Sequence, residues 1–219
     1  MNQRQRPLSE ESPVKSIFKN LEPLILASES PRRVRLLRSL GLAFDVIPSG
    51  IEERDDLKKE PGGLVECHAR EKARTISRLY PKSWVLSADT IVVLDDRIFG
   101  KPLSADHALD MLQQLSGREH HVFSGLCLMR SDPKFLRVGC VRTKVRFKTL
   151  SPAEIRAYVE TGEPLDKAGA YGIQELGVFL VESLQGSYTN VVGLPLCETL
   201  EWLLEQGIIA VGRDGAGPD

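Results

Sequence analysis

The sequence predicts an α/β fold in which a mixed, twisted sheet carries helices on both faces. Short apolar runs alternate with segments whose apolar residues follow helical spacing, as in folds built from strands and crossover helices. Two longer strand-like segments, 121–130 and 136–147, are joined by turn residues at 131–134, which favours an antiparallel pair. Because crossover helices connect parallel strands and a tight turn connects antiparallel ones, we expect both arrangements in one sheet.

The first strand and helix follow directly from the residues at 24–41. Residues 24–26 form the apolar run of a buried strand. Ser30 is a suitable N-cap, Pro31 fits the first helical turn, and Gly41 is suited to stop the helix. The turn between this strand and this helix is therefore predicted independently of any function.

The later elements are justified by periodicity, caps and turn residues. Ser104 and Ser151 each precede an apolar stripe of helical spacing, and the second belongs to a capping box with Glu154. The other expected strands are 44–47, 84–88 with its end at Asp89, 91–94 leading to a turn at 95–96, and 178–181. The other expected helices are 64–79, one from Ser104 to Gly117, one from Ser151 to Gly162, and 195–206.

We expect a single domain over residues 23–208, flanked by two tails. Residues 1–22 are polar, contain proline and lack the apolar segment of a secretory signal, which predicts a disordered tail. Residues 209–219, rich in glycine and proline after Arg213, predict a flexible C-terminal tail.

Composition excludes several classes of partner. The 219 residues carry a formal charge of −1, so no global basic field is available for nucleic acid, and no apolar run is long enough for a membrane span. The four cysteines, at positions 67, 127, 140 and 197, show no spacing typical of zinc or redox sites. We expect reduced core cysteines and a cytoplasmic location.

The turn after the first strand has the chemistry of a polyphosphate site. The N-terminus of a helix offers unpaired N–H groups, to which Ser28 and Ser30 add neutral donors. Arg32 and Arg33 supply planar guanidinium groups that match phosphate oxygens. Since the helix dipole disfavours cations in a first turn unless an anion joins them, these two arginines point to a bound anion.

Asp89 is the carboxylate most suited to chemistry. It follows a buried strand, at the place where open α/β sheets commonly bind ligands. It could hold Mg²⁺, activate water, or cap the following turn. The residues alone do not separate the metal ligand from the general base among Glu52, Asp89 and Asp166.

Two lysines and one loop complete the candidate site. Lys101 lies on a rigid loop between a glycine and a proline, and Lys72 lies beside the apolar stripe of a helix; both could clamp a triphosphate. The loop 166–174 contains Asp166, Lys167, glycines and Gln174, whose amide suits one edge of a base. His68 is expected to pack on its helix.

Five ordered segments resemble the Maf family of nucleoside triphosphate pyrophosphatases over about residues 24–207. They are Ala27-Ser28-Glu29-Ser30-Pro31-Arg32-Arg33, Ser87-Ala88-Asp89-Thr90, Gly100-Lys101-Pro102, Leu115-Ser116-Gly117-Arg118 and Asp166-Lys167-Ala168-Gly169-Ala170-Tyr171-Gly172-Ile173-Gln174. The resemblance implies the fold of the Maf and inosine-triphosphatase group, a mixed sheet with a deep cleft, often in homodimers.

The resemblance also implies a reaction and roles for residues. Water cuts a nucleoside triphosphate between its α and β phosphorus atoms, with Mg²⁺ or another divalent cation, giving the monophosphate and pyrophosphate. Asp89 would accept the proton, and Asp89 and Glu52 would hold the metal. By the same resemblance, Ser30, Arg33, Lys72 and Lys101 would hold the phosphates, and Glu52 would help with the metal or the water. We therefore expect catalytic roles for Asp89, Glu52, Lys72 and Lys101. We expect substrate binding by Ser28, Ser30, Arg32, Arg33, Thr90, Asp166, Lys167 and Gln174.

Within this family, Arg32, Thr90 and Gln174 resemble the enzymes that take dTTP and UTP, which implies a housecleaning role in the nucleotide pool. An amide satisfies both the O4 acceptor and the N3–H donor of a pyrimidine-dione. Glu175 and His68 depart from the usual glycine and leucine. The alternatives are a 7-methyl-GTP pyrophosphatase and a nucleotide-binding regulator of septum formation.

Overall fold

The computed structural model describes residues 16–51 and 60–212, and these residues form strands and helices in alternation. The strands are β1 Phe18–Asn20, β2 Leu24–Leu26, β3 Asp45–Val46, β4 Trp84–Leu94, β5 Arg97–Phe99, β6 Glu119–Arg130, β7 Phe135–Phe147, β8 Val181–Gln185 and β9 Ile209–Val211. The helices are α1 Pro31–Arg38, α2 Pro61–Leu79, α3 Ala105–Leu115, α4 Pro152–Glu160, α5 Tyr188–Val192 and α6 Leu196–Glu205. Short 3₁₀ helices occupy Glu163–Asp166, Ala168–Ala170 and Leu176–Leu180.

The main sheet is mixed, as the sequence predicts. Its strand order is β3-β2-β4-β6-β7-β8, with β5 paired to β4. β2 runs parallel to both of its neighbours, whereas β4, β6, β7 and β8 pair antiparallel in succession. The parallel pairing arises where helices connect the strands, and the long hairpin of β6 and β7 supplies the antiparallel part.

Helices cover both faces of this sheet because alternate residues of β4 point in opposite directions. Leu86 and its neighbours on one face pack against α1 and α6, in a cluster that includes Leu37 and Leu203. Val85 on the other face packs with Ala69 and other residues of α2. The strand is buried on both sides, which explains its nearly continuous apolar sequence.

The helix caps agree with the sequence prediction. The side chains of Ser30, Ser104 and Ser151 accept hydrogen bonds from the backbone N–H groups three residues later. Ser151 and Glu154 form the complete capping box. These starts are local features of sequence, so the tertiary fold does not alter them.

Asp89 lies inside a strand, which corrects the expectation that the strand ends there. β4 runs without interruption from Trp84 to Leu94, and Asp89 pairs with Gly125 of β6. The parallel pairing with β2, however, stops at Leu86. Asp89 therefore lies just beyond the end of β2, beside the turn that leads into α1.

Two other expectations were wrong. Residues 178–181 do not form a strand: 176–180 are a 3₁₀ helix, and the strand β8 occupies 181–185. The expected tails at 1–22 and 209–219 contain β1 and β9, which pair with each other antiparallel. β1 and β9 lie at opposite ends of the described chain, so no local pattern along either segment reveals that they pair. The sequence analysis also did not predict the short helix α5.

The cysteines are free thiols, but only Cys127 is buried. Burial raises the pKa of the Cys127 thiol to about 12, so it behaves as a small apolar side chain. Cys67 and Cys140 are half-buried and Cys197 is exposed, which corrects the expectation of four core cysteines. Within 16–51 and 60–212, no helix is both long and apolar enough to cross a membrane.

Candidate active site

A cleft of about 650 Å³ opens beside β4, between the turn before α1, the middle of α2 and the loop after α4. The structure brings together around it every predicted site residue that it describes. They are Ser28, Ser30, Arg32, Arg33, Lys72, Asp89, Thr90, Lys101, Asp166, Lys167 and Gln174. Glu52, predicted as a catalytic residue and metal ligand, lies outside the described residues.

The Asp89 carboxylate is held between two donors from α2. Lys72 Nζ donates to Oδ1 at 2.7 Å, and His68 Nδ1 lies 3.0 Å from Oδ2. Asp89 is only 3% exposed. Burial alone would raise its pKa, but the His68 hydrogen bond and the charges of Lys72 and Arg33 outweigh burial and lower the pKa well below its ordinary value. The carboxylate is therefore ionised at neutral pH.

His68 takes a different place from the one expected. It does not simply pack on its helix, because its ring lines the cleft and contacts Asp89. Lys72 lines the cleft, as expected of a site residue, and is 7% exposed. Positions 68 and 72 lie one helical turn apart, so one face of α2 presents both side chains. That spacing is a signal that sequence reasoning could have used to find His68.

Arg33 is fixed against the floor of the cleft. Its Nε donates to the Gly193 carbonyl oxygen at 2.7 Å, and its Nη2 donates to Thr90 Oγ1 at 3.1 Å. Its Nη1 also approaches Ser28 Oγ at 3.4 Å. Thr90 Oγ1 in turn lies 2.8 Å from Ser124 Oγ. Thr90 thus orients Arg33, while Gly193 and Ser124 are contributors that the sequence did not reveal.

Arg32 and Lys167 share one carboxylate. Arg32 Nη1 lies 2.9 Å from Asp166 Oδ2, and Lys167 Nζ lies 2.7 Å from Asp166 Oδ1. Lys167 also donates to the Glu163 carbonyl oxygen at 2.6 Å. Partial burial alone would raise the Asp166 pKa, but the two cations together lower it. Asp166 therefore aligns both cations along the wall of the cleft.

The loop that carries Gln174 is organised by Glu163. Its carboxylate accepts a hydrogen bond from Tyr158 Oη at 2.9 Å and from the backbone N–H groups of Leu176 and Gly177 at 3.0 and 3.2 Å. Gln174 is exposed on the cleft wall within this loop. The neighbouring Glu175 pairs with Arg35 of α1 at 3.1 Å.

Lys101 lies on the opposite loop and is exposed. Its loop is tied to the 166–174 segment, because the Gly169 N–H donates to the Gly100 carbonyl oxygen at 3.0 Å. Gly169 has φ of +70°, and a Cβ there would meet Val92 Cγ2 at 2.9 Å, so glycine allows this approach. The exposed ammonium of Lys101 remains accessible to a ligand.

The donor set of the cleft fits a divalent cation that enters with a polyphosphate. Over residues 16–51 and 60–212, no three His, Cys, Asp or Glu side chains are grouped to hold a metal ion. Asp89 offers one carboxylate, and two donors leave part of its acceptor capacity free. Mg²⁺ commonly takes one or two carboxylates and completes its shell with phosphate oxygens and waters.

Comparison with known proteins identifies the family of this chain. The family model described as Maf-like protein matches residues 23–206. A dTTP/UTP pyrophosphatase of Symbiobacterium thermophilum is 48% identical over 197 residues, which cover 90% of this chain and 100% of that protein. A dTTP/UTP pyrophosphatase of Desulfotalea psychrophila is 45% identical over 195 residues, with 89% and 100% covered. With its fold, its cleft and these identities, the chain belongs to the Maf family.

Proposed function

We propose that this protein is a nucleoside triphosphate pyrophosphatase that hydrolyses dTTP and UTP to the monophosphate and pyrophosphate. The observation that carries the proposal is an ionised, buried Asp89 that opens onto a cleft lined by Arg32, Arg33 and Lys101. The relatives named dTTP/UTP pyrophosphatases support the choice of reaction.

Asp89 acts on the attacking water. The water oxygen forms a bond to the α phosphorus, the bond from that phosphorus to the bridging oxygen breaks, and pyrophosphate leaves with the electron pair. Because the lowered pKa makes Asp89 a weak base, it orients the water first and accepts a proton as the new bond forms and the water becomes more acidic.

The cationic side chains stabilise the triphosphate. Negative charge grows on the leaving pyrophosphate, and fixed guanidinium groups need no reorganisation to meet it. Arg33 is held in place by the Gly193 carbonyl oxygen and by Thr90 Oγ1. Lys72 neutralises Asp89 and so limits the repulsion between this carboxylate and the phosphates.

Gln174 reads the base in this proposal. Its amide offers one donor and one acceptor, which match the O4 and N3–H groups of uracil and thymine. Glu175 also lines the cleft, but its ion pair with Arg35 of α1 offsets its charge. Uridine triphosphates with modified bases that keep these two groups are also substrates.

We further propose that Mg²⁺ or a similar cation accompanies the substrate, held by Asp89 and by Glu52. When bound, such an ion neutralises negative charge on the phosphates. We also propose, from the resemblance and the composition, that the protein forms a homodimer and is cytoplasmic.

The test is pyrophosphate release from a panel of nucleotides, with Mg²⁺ and then with EDTA. The panel is dTTP, UTP, CTP, dATP, GTP, ITP and 7-methyl-GTP. We expect metal-dependent release from dTTP and UTP. Preference for 7-methyl-GTP would overturn the role of Gln174, and no release from any nucleotide would favour the binding regulator of septum formation.

A further inference from the structure

We propose that His68 is a positioning residue for the hydrolysis, holding the Asp89 carboxylate in the orientation that receives the attacking water. The inference rests on the proposed function and adds to it a residue whose side chain acts through Asp89. It depends on three features of the structure, which are the contact itself, the pairing with Lys72 and the rigidity of the elements that carry both residues.

The contact requires a proton on His68 Nδ1. This atom lies 3.0 Å from Asp89 Oδ2, within hydrogen-bond distance. Lys72 Nζ lies 2.7 Å from the other carboxylate oxygen and forms an ion pair with Asp89. A carboxylate in an ion pair only accepts hydrogen bonds, so the imidazole is the donor. Both side chains are nearly excluded from solvent, at 5% exposure for His68 and 3% for Asp89, so water competes little for this hydrogen bond.

His68 and Lys72 together restrain both oxygens of the carboxylate. A single donor would leave the carboxylate able to rotate about its χ2 bond, since that rotation is soft in aspartate. Lys72 at Oδ1 and His68 at Oδ2 oppose such rotation. The remaining acceptor positions of the two oxygens are then held in fixed directions, as a water that must attack in line requires.

The two donors come from a helix packed unusually closely on the sheet. Gly125, the β6 partner of Asp89, faces α2 at Val65, and a Cβ at position 125 would come within 2.2 Å of the Val65 carbonyl oxygen. The absence of a side chain at Gly125 therefore brings the helix next to Asp89. The distance between His68 and Asp89 is set by this backbone contact rather than by mobile loops.

The first experiment observes the hydrogen bond without using activity. Side-chain ¹⁵N NMR reports which imidazole nitrogen carries the proton, and only four histidines need assignment. At about pH 8, well above the usual pKa of histidine, we expect His68 to carry its proton on Nδ1 and to change signal in Asp89→Asn. A bare Nδ1 would overturn the proposal, even if the protein hydrolysed none of the nucleotides.

The second experiment separates orientation from packing with three variants. His68→Asn keeps an N–H donor near the position of Nδ1, His68→Gln moves the donor away, and His68→Leu fills similar space without a donor. We expect kcat to fall about 10- to 100-fold in the Leu and Gln variants with KM within about threefold, and the Asn variant to recover most of the loss.

The outcomes distinguish this inference from the proposed function. Inactive wild-type protein would contradict the proposed function, while the NMR result would still decide the contact. If wild-type protein is active, an unchanged kcat in His68→Leu would overturn the positioning role. Equal losses in the Asn and Leu variants would assign the effect to ring packing instead. Thermal melting and calorimetric binding of dTMP check that each variant is folded and retains its cleft.

Discussion

At the scale of single residues, Asp89 combines burial with full ionisation. A carboxylate removed from water is normally driven to its neutral form, and only nearby donors and positive charge reverse this. His68, Lys72 and Arg33 supply them here. His68 and Lys72 also contact the two carboxylate oxygens, so the contacts that stabilise the charge also restrain the carboxylate.

Replacing Asp89 with asparagine should remove activity. The amide cannot accept the proton of water, and general-base loss typically costs about 10² to 10⁴ in rate. Lys72 would also lose its ion pair with Asp89, so we expect the free energy of unfolding to fall by about 1 to 3 kcal/mol. Pyrophosphate release and chemical denaturation measure the two effects. Asp96→Asn, at the exposed turn after β4, is the matched control, and a fully active Asp89→Asn would exclude the assigned role.

The lowered pKa of Asp89 also predicts how stability depends on pH. The unfolded carboxyl titrates near its ordinary value of 3.8, and the folded one titrates lower. As pH falls, the unfolded state therefore binds the proton first, so the stabilisation is complete above the unfolded pKa and is lost below it. Denaturation in EDTA between about pH 5 and about pH 3 should show a steeper loss in wild type than in Asp89→Asn. Parallel curves would contradict this assignment.

Gln174 should decide which base is accepted. Gln174→Glu replaces the amide donor with a second acceptor oxygen. The carboxylate can still accept a hydrogen bond from the N3–H group of the base, but it repels the O4 oxygen. We expect kcat/KM for dTTP and UTP to fall about 10- to 100-fold. Because the side chain is exposed, the melting temperature should not change. Glu175→Gln tests a charge change at the adjacent position, and an unchanged substrate profile in Gln174→Glu would show that this residue does not read the base.

At the scale of elements, the site depends on how closely α2 lies against the sheet. Leu64, Val65 and Ala69 are fully buried in this interface, and Gly125 supplies the space for the helix backbone. The helix carries Lys72 and His68, so its distance from β4 and β6 also determines the geometry around Asp89. A helix that sat farther out would still fold but would not place its donors.

Alanine should destabilise the protein at position 125 and stabilise it at position 63. Gly125→Ala forces a Cβ against the Val65 backbone, so we expect the free energy of unfolding to fall by at least about 3 kcal/mol and most activity to be lost. Gly63→Ala lies in the exposed first turn of α2, with nothing within 4 Å of the added Cβ. At position 63, alanine should raise the free energy of unfolding by at most about 1 kcal/mol, because its helix propensity is higher than that of glycine. Denaturation midpoints compare the pair, and a tolerated Gly125→Ala would refute the close-packing argument.

At the scale of the whole molecule, the two ends of the described chain close onto the core together. β1 pairs with β9, and Phe18 and Ile209 are buried in the same cluster as Leu37 and Leu86. The pairing joins segments that are almost the full chain apart. Both strands therefore contribute to the cluster that also contains residues of α1 and α6.

Shortening the chain tests this closure. A protein ending at residue 207 loses Ile208 and the strand β9. Ile208 is fully buried, and Ile209, the first residue of β9, is nearly so. Each buried side chain of this size contributes about 1.5 to 3 kcal/mol, so we expect the free energy of unfolding to fall by roughly 4 kcal/mol. A protein ending at residue 212 retains β9 and should match the full chain. Thermal melting compares the three lengths, and equal stability would restore the expectation of a tail from residue 209.

The local structure around the candidate site could be predicted from sequence where each signal was local. The strand before Ser28, the Ser30 cap and the first-turn arginines depend on neighbours within one helical turn, and the structure has them as expected. The cation clamp formed by Arg32, Asp166 and Lys167 could be proposed only as a set of candidates, because 134 positions separate Arg32 from Asp166.

By itself, the sequence determined the mixed α/β class, the capped helices, the long hairpin and many of the polar residues that line the cleft. Each of these follows from spacing or from residue chemistry along a short stretch of chain. Only the tertiary structure decided that Asp89 lies within β4, that His68 donates to it, and that β1 and β9 pair. Those features depend on contacts between distant residues, whose energies come from burial and are absent from any local pattern.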